Sequence, residues 1–366
     1  MDKEKLNWRS IASRAIRTKW NASTPSYYVI DLAGVIRYKW VGSPGEKAID
    51  TALEQLIHEA EGKPRKAPIG KDPPHPLPKA IVAAWKGAGA QAGWLRPKEH
   101  GFRSKELRFH ELDPEKEGEP GDLPAFRFGQ WPTGRLAKLP APTAAFGLHL
   151  YQSDVTDAAL KELAGLTNLR ALNLDITKVT DAGLKELGGL KSLRMLSLNS
   201  TPLTDAGLKE LAGLTSLTTL DLGGTKVTDA GLRELARLRG LQELDLPRTQ
   251  VTDAGLKELA ELKHLQLLNV RATKVTDVGL KELAQFKSLR ALNLEFTKVT
   301  DAGLKALAQL EHLQLLKLFG TRISDAGLKE LAGHKHLQTL YLGATQVTED
   351  GVTALRRALP GCKIIE

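Results

Sequence analysis

Hydrophobic residues recur at fixed positions along the C-terminal part of the chain. Leu169, Leu172 and Leu174 alternate in the pattern of a short strand, and Leu184 and Leu187 follow with the three-residue spacing of a helix. The pattern returns every 24 residues with no insertion or deletion, and its units start at residues 145, 169, 193, 217, 241, 265, 289, 313 and 337. Alternation of short strands with short helices predicts a parallel sheet with the helices on its outer side.

One unit of 24 residues is too small to bury its own hydrophobic side chains, so the nine units are expected to stack into one solenoid. The repeated unit LxxLxLxxTxVTDAGLKELAGLxx resembles that of leucine-rich repeat proteins, in particular the ribonuclease-inhibitor-like and cysteine-containing subclasses. For residues 145–366 this resemblance implies an α/β solenoid that is curved, with parallel strands on the concave side and short helices on the convex side. It further implies a non-catalytic module that binds a protein partner on the concave face.

Three polar or small positions recur in nearly every unit and are expected to serve the framework. The threonine column that starts at Thr177 is expected to bond backbone groups in the loop after each strand, because buried polar groups need partners. Asp181 and its equivalents follow a threonine at the start of each helix, where a capping hydroxyl and an anion are both favoured. Gly183 and its equivalents are expected to permit close packing between stacked units.

The residues that flank the central leucine of each strand are expected to face the concavity, because successive strand side chains alternate between two faces. These positions vary between units, whereas the framework positions hardly change. The last units carry apolar, aromatic and basic residues there, a combination found in binding hot spots. The predicted partner-binding residues are Leu267, Arg271, Asn293, Phe296, Leu315, Lys317, Phe319 and Tyr341. Neutral drift between duplicated units is the alternative explanation of this variation.

Residues 79–144 are expected to cap the N-terminal end of the solenoid, since terminal units of such stacks are atypical. Their last part resembles a degenerate unit in which Phe126 stands in place of a strand leucine. A short helix broken by Gly87 and Gly89 is predicted between Pro78 and Trp94, and a further strand at residues 107–109. Residues 61–78 are rich in proline and basic residues and predict an extended linker.

Residues 1–60 form a separate segment. A hairpin is predicted over residues 26–41 and an amphipathic helix over residues 45–60. This ββα order, with Pro25 where the family has its cis-proline, resembles the C-terminal half of thioredoxin-like proteins of the TlpA- and peroxiredoxin-related group. The resemblance implies a partial domain, because the family's catalytic dithiol and the strands before it would precede Met1. Either the segment is a relic or the chain is truncated.

The chain offers no set of residues for catalysis. Its one cysteine, Cys362, excludes a dithiol, so the chain as it stands cannot perform thiol–disulfide exchange. A thioredoxin-like oxidoreductase that carries the repeats as a scaffold, inactive or truncated, is therefore the alternative function. His264, His312 and His336 share one position of their units and, like His334, are expected to be solvent-exposed, because no carboxylate or cysteine completes a metal site. We expect no enzyme activity, no cofactor and no metal.

Charge is unevenly distributed along the chain. Residues 1–144 contain 24 Lys and Arg against 17 Asp and Glu, whereas residues 145–366 contain 28 against 26. The net charge of +9 therefore belongs mainly to the N-terminal part, and nucleic acid is not expected to bind the repeats. No apolar stretch is long enough to span a membrane, and no signal peptide is visible. A cytoplasmic monomer with a protein partner is expected.

Overall fold

The structure is a computed structural model that describes residues 26–30, 36–41, 76–96, 108–110, 118 and 121–366. The chain divides into two compact units, Met1–Pro68 and Ile69–Glu366. In the first unit, β1 (Ser26–Ile30) pairs antiparallel with β2 (Ile36–Val41), which confirms the predicted hairpin. The helix predicted over residues 45–60, and with it the rest of the proposed ββα segment, lies outside the described residues.

The second unit is built on one sheet, of which 13 strands are described. At one end lie β3 (Gln91–Arg96), β4 (Arg108–His110) and β5 (Leu123–Arg127), with β3 antiparallel to both of its neighbours. From β5 onward every neighbouring pair is parallel and follows chain order. The following strands are β6 (Phe146–His149), β7 (Leu169–Asn173), β8 (Met195–Ser197), β9 (Thr219–Asp221), β10 (Glu243–Asp245), β11 (Leu267–Asn269), β12 (Ala291–Asn293), β13 (Leu315–Lys317), β14 (Thr339–Tyr341) and β15 (Lys363–Ile365).

A short helix follows each strand from β6 to β14, and one further helix precedes β3. In chain order the helices are α1 (Lys79–Gly87), α2 (Asp157–Leu160), α3 (Asp181–Leu184), α4 (Asp205–Leu211), α5 (Asp229–Leu235), α6 (Asp253–Glu258), α7 (Asp277–Leu283), α8 (Asp301–Leu307), α9 (Asp325–Leu331) and α10 (Glu349–Ala358). Short 3₁₀ helices lie at Leu136–Lys138, Lys161–Leu163, Lys185–Gly189 and Leu259–Glu261. The predicted α/β solenoid is confirmed.

Leucine side chains from strands and helices meet in one continuous hydrophobic core. In a central unit, Leu220 and Leu222 on the strand side and Leu232 and Leu235 of α5 are fully buried. The Thr225 hydroxyl donates to the Leu222 carbonyl oxygen over 2.6 Å, which satisfies both groups inside the turn after the strand. The same bond confirms the expected role of Thr177, Thr201, Thr249, Thr273, Thr297, Thr321 and Thr345.

An aspartate at the start of each helix from α2 to α9 joins one unit to the next. Asp181 Oδ1 accepts from the Thr204 N–H over 2.9 Å, and Asp181 Oδ2 accepts from the Thr204 hydroxyl over 2.6 Å. The same hydroxyl accepts from the Ala206 N–H and caps α4. This pair of bonds, which we call the Asp–Thr clamp, recurs from Asp157 to Asp325, with Ser324 once in place of threonine. The aspartate column therefore links units as well as starting helices.

The glycine column makes room for the Asp–Thr clamp. A Cβ atom placed on Gly207 would lie 2.5 Å from Asp181 Oδ1, so a side chain there would displace the carboxylate that caps the next helix. Equivalent glycines from Gly183 to Gly351 face the aspartate of the preceding unit in the same way. The expectation that these glycines permit close packing is confirmed, and the group that approaches them is the clamp carboxylate.

The N-terminal end of the sheet agrees with the sequence prediction in part. The predicted break is confirmed, because α1 ends at Gly87 and Gly89 adopts a left-handed φ of +101°. Residues Gln91–Arg96 after the break form β3, a strand that the sequence pattern did not predict. Trp85 of α1 stacks on Phe126 of β5 with 4.3 Å between ring centroids. Since Phe126 pairs in register with a buried strand leucine of β6, α1 covers the end of the leucine core.

The opposite side of the sheet is also occupied at this end. Leu95 of β3 is fully buried in a small cluster with Ala125 and Ala171, and Met195 of β8 packs at its margin. Gly147 of β6 lies in the same cluster, where a Cβ atom would overlap the Leu95 side chain. Small residues thus allow Leu95 to cover the first parallel strands.

Replacing Asp229 with alanine is expected to destabilise the solenoid by about 2 kcal/mol, because it removes two charge-assisted hydrogen bonds to Thr252. Urea denaturation followed by circular dichroism measures the free energy of unfolding. Asp229→Asn is the matched control: it keeps one oxygen acceptor and is expected to lose less stability. Equal stability of Asp229→Ala and the unchanged protein would show that the Asp–Thr clamp does not stabilise the fold.

Candidate partner-binding surface

One side of the sheet faces away from the helices, and we call it the strand face. In β10 the Leu244 side chain points into the core, so the side chains of Glu243 and Asp245 lie on the strand face. After each strand one more residue, such as Leu246, returns to the core, and the next two residues border the strand face. Parallel register aligns these positions into columns, as in the pairing of Asp245 with Asp221.

The second of these two loop residues has a left-handed backbone in every unit. Phe296 has a φ of +56°, and its N–H donates to the Phe319 carbonyl oxygen of the next unit over 2.9 Å. This conformation disfavours residues other than glycine by about 1–2 kcal/mol, so the inter-unit ladder holds it in place. The side chain is turned outward, and both Ile176 and Phe296 are exposed. The other members of this column are Gln152, Ser200, Gly224, Arg248, Ala272, Gly320 and Ala344.

Two exposed phenylalanine rings lie side by side at the border of the strand face. Phe296 and Phe319 are 46% and 38% exposed, and their ring centroids are 5.3 Å apart. Each ring rests on a glycine of the next unit: Cβ atoms placed on Gly320 and Gly343 would come within 2.8 Å and 2.7 Å of the respective ring carbons. The backbone beneath each ring therefore supports it while its outer side remains in solvent.

Charged side chains surround this pair of rings. The Glu295 carboxylate lies 3.1 Å from Arg271 Nε and 4.0 Å from Lys317 Nζ, and so links both cations. The Arg271 guanidinium lies 4.9 Å from the centre of the Phe296 ring, and the Lys317 ammonium lies 4.6 Å from that of Tyr341. We define the aromatic patch as Arg271, Glu295, Phe296, Lys317, Phe319 and Tyr341.

A group of carboxylates lies on the same face, in β9 and β10. We define the acidic floor as Asp221, Glu243 and Asp245. Asp221 and Asp245 are register partners on adjacent strands and are only 3% and 2% exposed. Burial, then the Asp221 carboxylate and Glu243, raise the pKa of Asp245 well above its usual value, although Asn269 Nδ2 donates to Asp245 Oδ1 over 2.7 Å. The fold therefore opposes the charged form of this carboxylate.

The repeats match a family model described as a leucine-rich repeat region over residues 148–350, which is more than half of the chain. The chain belongs to the leucine-rich repeat family. Its parallel sheet, with one short helix after each repeat strand, is the architecture that the resemblance implied for residues 145–366.

Several solved structures are similar to this leucine-rich repeat protein. An internalin from Listeria monocytogenes is 21% identical, with 64% of this chain and 76% of that chain covered and a TM-score of 0.46. Internalin C2 from the same species is 25% identical, with 77% and 96% covered and a TM-score of 0.46. A leucine-rich repeat protein from Leptospira interrogans is 22% identical, with 65% and 75% covered and a TM-score of 0.44. No curated protein sequence gives a significant match. None of the comparisons supports the thioredoxin-like resemblance of residues 1–60.

The leucine-rich repeat framework brings five of the eight predicted binding residues into the aromatic patch. Leu267 and Leu315 are half-buried at the first positions of β11 and β13, on either side of Ala291 of β12. Asn293 differs from the expectation for a contact residue, since it is 1% exposed. Its Oδ1 accepts from the Glu295 N–H over 2.9 Å, so Asn293 supports the patch from below.

Glu295 is absent from the predicted binding residues, although it links the two cations of the patch. Alignment of the repeats carries the signal for it, because Glu295 occupies the column of Arg271 in the unit before and of Phe319 in the unit after. Gly320 and Gly343 are absent as well. Each of these glycines supports the phenylalanine ring of the preceding unit, and the position of that ring cannot be deduced from the pattern of hydrophobic residues.

One of the four histidines contradicts the prediction of solvent exposure. His334 is 4% exposed and occupies the position that leucine or phenylalanine fills in the preceding units. Burial lowers the pKa of His334 below its usual 6.5, and a hydrogen bond with the Leu310 backbone offsets part of this effect. His264, His312 and His336 are exposed, as expected.

The remaining chemistry of the described residues is limited. Within them, no group of three or more His, Cys, Asp and Glu side chains is placed to hold a metal ion. None of the helices in this part of the chain combines the length and the hydrophobicity that a bilayer crossing needs. Cys362 is half-buried, and burial raises the pKa of its thiol.

His334→Leu is expected to raise the free energy of unfolding by about 1 kcal/mol near neutral pH, because a leucine fills the apolar position without a polar nitrogen. The folded-state pKa of His334 lies below that of the unfolded chain, so the unchanged protein should lose stability as the pH falls through about 6.5. Melting temperatures across this range should show the loss, and His334→Leu should reduce it. His336→Gln, at an exposed position, is the control and should keep the pH dependence.

Asp245→Asn is expected to stabilise the protein at neutral pH, because it removes a carboxyl whose folded-state pKa is raised. A raised pKa favours folding at low pH and loses this contribution as the pH rises through the folded-state value. The stability difference between Asp245→Asn and the unchanged protein should therefore be largest at neutral pH and shrink toward about pH 4. Urea denaturation at a series of pH values measures it, and a difference that does not vary with pH would contradict the raised pKa.

Proposed function

We propose that this leucine-rich repeat protein is a non-catalytic interaction protein that captures a protein partner on its strand face through the aromatic patch. The observation that carries the proposal is the support that glycines of the next unit give to the rings of Phe296 and Phe319. A ring that is exposed yet held in place loses little conformational freedom when a partner packs on it, which favours binding. Membership of a family whose proteins typically bind other proteins agrees with this function.

Neutral drift explains the aromatic patch less well. Each large ring coincides with a glycine at the matching position of the next unit, Phe296 with Gly320 and Phe319 with Gly343. The cations beside the rings are joined by one carboxylate, that of Glu295. Independent substitutions do not favour such coordinated combinations, whereas selection for an exposed and ordered surface does.

The alternative functions have weaker support. A thioredoxin-like oxidoreductase requires a reactive thiolate, and the only cysteine of the chain, Cys362, has a thiol pKa raised by burial. Nucleic acid is disfavoured as a ligand of the repeats because residues 145–366 contain 28 Lys and Arg against 26 Asp and Glu, and so have little net positive charge to attract phosphate groups. We also propose that residues 79–144 cap the solenoid, a role that α1 and β3 support by covering the core and the first parallel strands.

The double substitution Phe296→Ala and Phe319→Ala is expected to weaken partner binding about tenfold or more while leaving the fold intact, because both rings are surface-exposed hot-spot candidates. The full chain is used to select peptides from a random library displayed on phage, and the affinities of the selected peptides are measured by fluorescence anisotropy. Circular dichroism verifies that the variant is folded.

Val278→Ala is the matched control, since Val278 is an exposed apolar residue on α7, far from the strand face. It is expected to leave every affinity unchanged. Selected peptides that bind the double variant as tightly as the unchanged protein would overturn the proposed function, and so would a selection that yields no peptide sensitive to the double substitution.

A further inference from the structure

Exposed apolar side chains are concentrated along one edge of the strand face. We define the border as the two loop columns that follow each strand from β6 to β14, from residues 151–152 to residues 343–344. Among the residues that the structure describes, the exposed large apolar side chains are Tyr151, Ile176, Val278, Phe296 and Phe319. All of them except Val278 lie on the border. Exposed apolar groups that gather on one surface are typical of interaction sites.

These side chains form two separate groups on the border. Tyr151 and Ile176 belong to neighbouring units near the N-terminal end of the repeats, whereas Phe296 and Phe319 belong to the aromatic patch. Ile176 and Phe296 occupy the same column, five units apart. The strand face therefore offers a second place, besides the aromatic patch, where a partner can bury apolar surface.

A ladder of hydrogen bonds fixes the distance between the two groups. In each unit from Ile176 to Phe296, the N–H of the second loop residue donates to a carbonyl oxygen of the next unit, as Ile176 does to Asn199 over 2.9 Å. Five spacings of about 4.8 Å separate Ile176 from Phe296, which gives about 24 Å in total. An extended polypeptide covers this distance in about seven residues.

Small side chains occupy most of the column between the two groups. From the unit of β7 to that of β12 it contains Ile176, Ser200, Gly224, Arg248, Ala272 and Phe296, all with a left-handed backbone. Serine, glycine and alanine leave room for another main chain to lie along the border. Arg248 is the one large side chain between Ile176 and Phe296 in this column.

Arg248 carries an exposed cation without a contacting anion. Its guanidinium makes no hydrogen bond and no ion pair with the described residues, whereas that of Arg271 pairs with a carboxylate. Asp221 and Asp245 are almost fully buried, and Glu243 lies at the end of β10 that is farther from Arg248. An exposed guanidinium favours a carboxylate on a bound molecule, because the two groups match in charge and in bidentate geometry.

We propose that the border binds an extended acidic polypeptide segment. One apolar side chain of the segment packs on Tyr151 and Ile176, a second packs on the rings of Phe296 and Phe319, and a carboxylate between them pairs with Arg248. Arg248 is three units from Ile176 and two from Phe296, so the carboxylate lies nearer to the second apolar side chain. The inference rests on the proposed function, because both use the aromatic patch, and it adds the length and the charge of the partner segment.

The substitution Arg248→Gln tests the carboxylate contact. Peptides selected from the random phage library on the full chain are expected to carry Asp or Glu between two apolar residues about seven positions apart. Arg248→Gln is expected to weaken their binding about fivefold. Glutamine fits the column, because Gln152 has the same left-handed backbone. Arg237→Gln is the matched control: it removes the same charge from an exposed position just after α5, away from the strand face.

A double-mutant cycle separates pairing with Arg248 from general attraction by the net charge of +9. Replacing the acidic residue of a selected peptide with its amide is expected to weaken binding to the unchanged protein and to Arg237→Gln, but to cause no further loss with Arg248→Gln. Ile176→Ser is expected to weaken binding of the same peptides about fivefold, because it removes apolar surface from the first group. Serine fits this column as well, as Ser200 shows.

The outcomes distinguish this inference from the proposed function. Selected peptides without an acidic residue, equal effects of Arg237→Gln and Arg248→Gln, or no response to Ile176→Ser would overturn the acidic segment. The proposed function would still stand in that case if the peptides lost affinity for the Phe296→Ala, Phe319→Ala variant. Peptides that respond to Arg248→Gln and Ile176→Ser but not to the phenylalanine substitutions would overturn the proposed function, and with it a segment that contacts both apolar groups.

Discussion

The Asp–Thr clamp is the interaction on which the rest of this structure depends. From α2 to α9, the aspartate at the start of each helix accepts two hydrogen bonds from the residue that caps the next helix, as Asp181 does from Thr204. The clamp joins residues 23 positions apart, so a unit that gained or lost a residue before its helix would lose it. Because every unit has the same length, each strand residue pairs with its equivalent in the next strand. The columns of the strand face follow from this constraint.

The sequence predicts the framework well because the framework is periodic. The residues of the leucine, threonine and glycine columns make the same contacts in every unit. The roles of Thr225 and Gly207 can therefore be inferred from residue type and spacing alone. Strand β3 is not periodic and pairs with segments on both sides of it, so only tertiary contacts identify it. The prediction that His334 is exposed is wrong for a similar reason. Its burial is set by its position in the repeat, where the preceding units have leucine or phenylalanine, and not by its residue type.

The candidate surface is predictable in position but not in detail. Alternation of side chains along a strand places the varying residues on one face, and most of the predicted binding residues lie there. Contacts between neighbouring units decide the rest: Glu295 links two cations from the units on either side, and Gly343 supports Phe319 of the unit before. Such contacts run across the repeats, and they become visible only when the units are aligned beneath one another.

Constant register also fixes the distances between groups of residues on the strand face in multiples of the strand spacing. The acidic floor and the aromatic patch are held apart by whole strands, and adjacent strands are about 4.8 Å apart. Insertion of one complete unit between them would preserve every clamp, and would increase the distance between the two groups of residues by one strand spacing. Distances between groups of residues on the strand face can therefore change only in discrete increments, without any change in how the core packs.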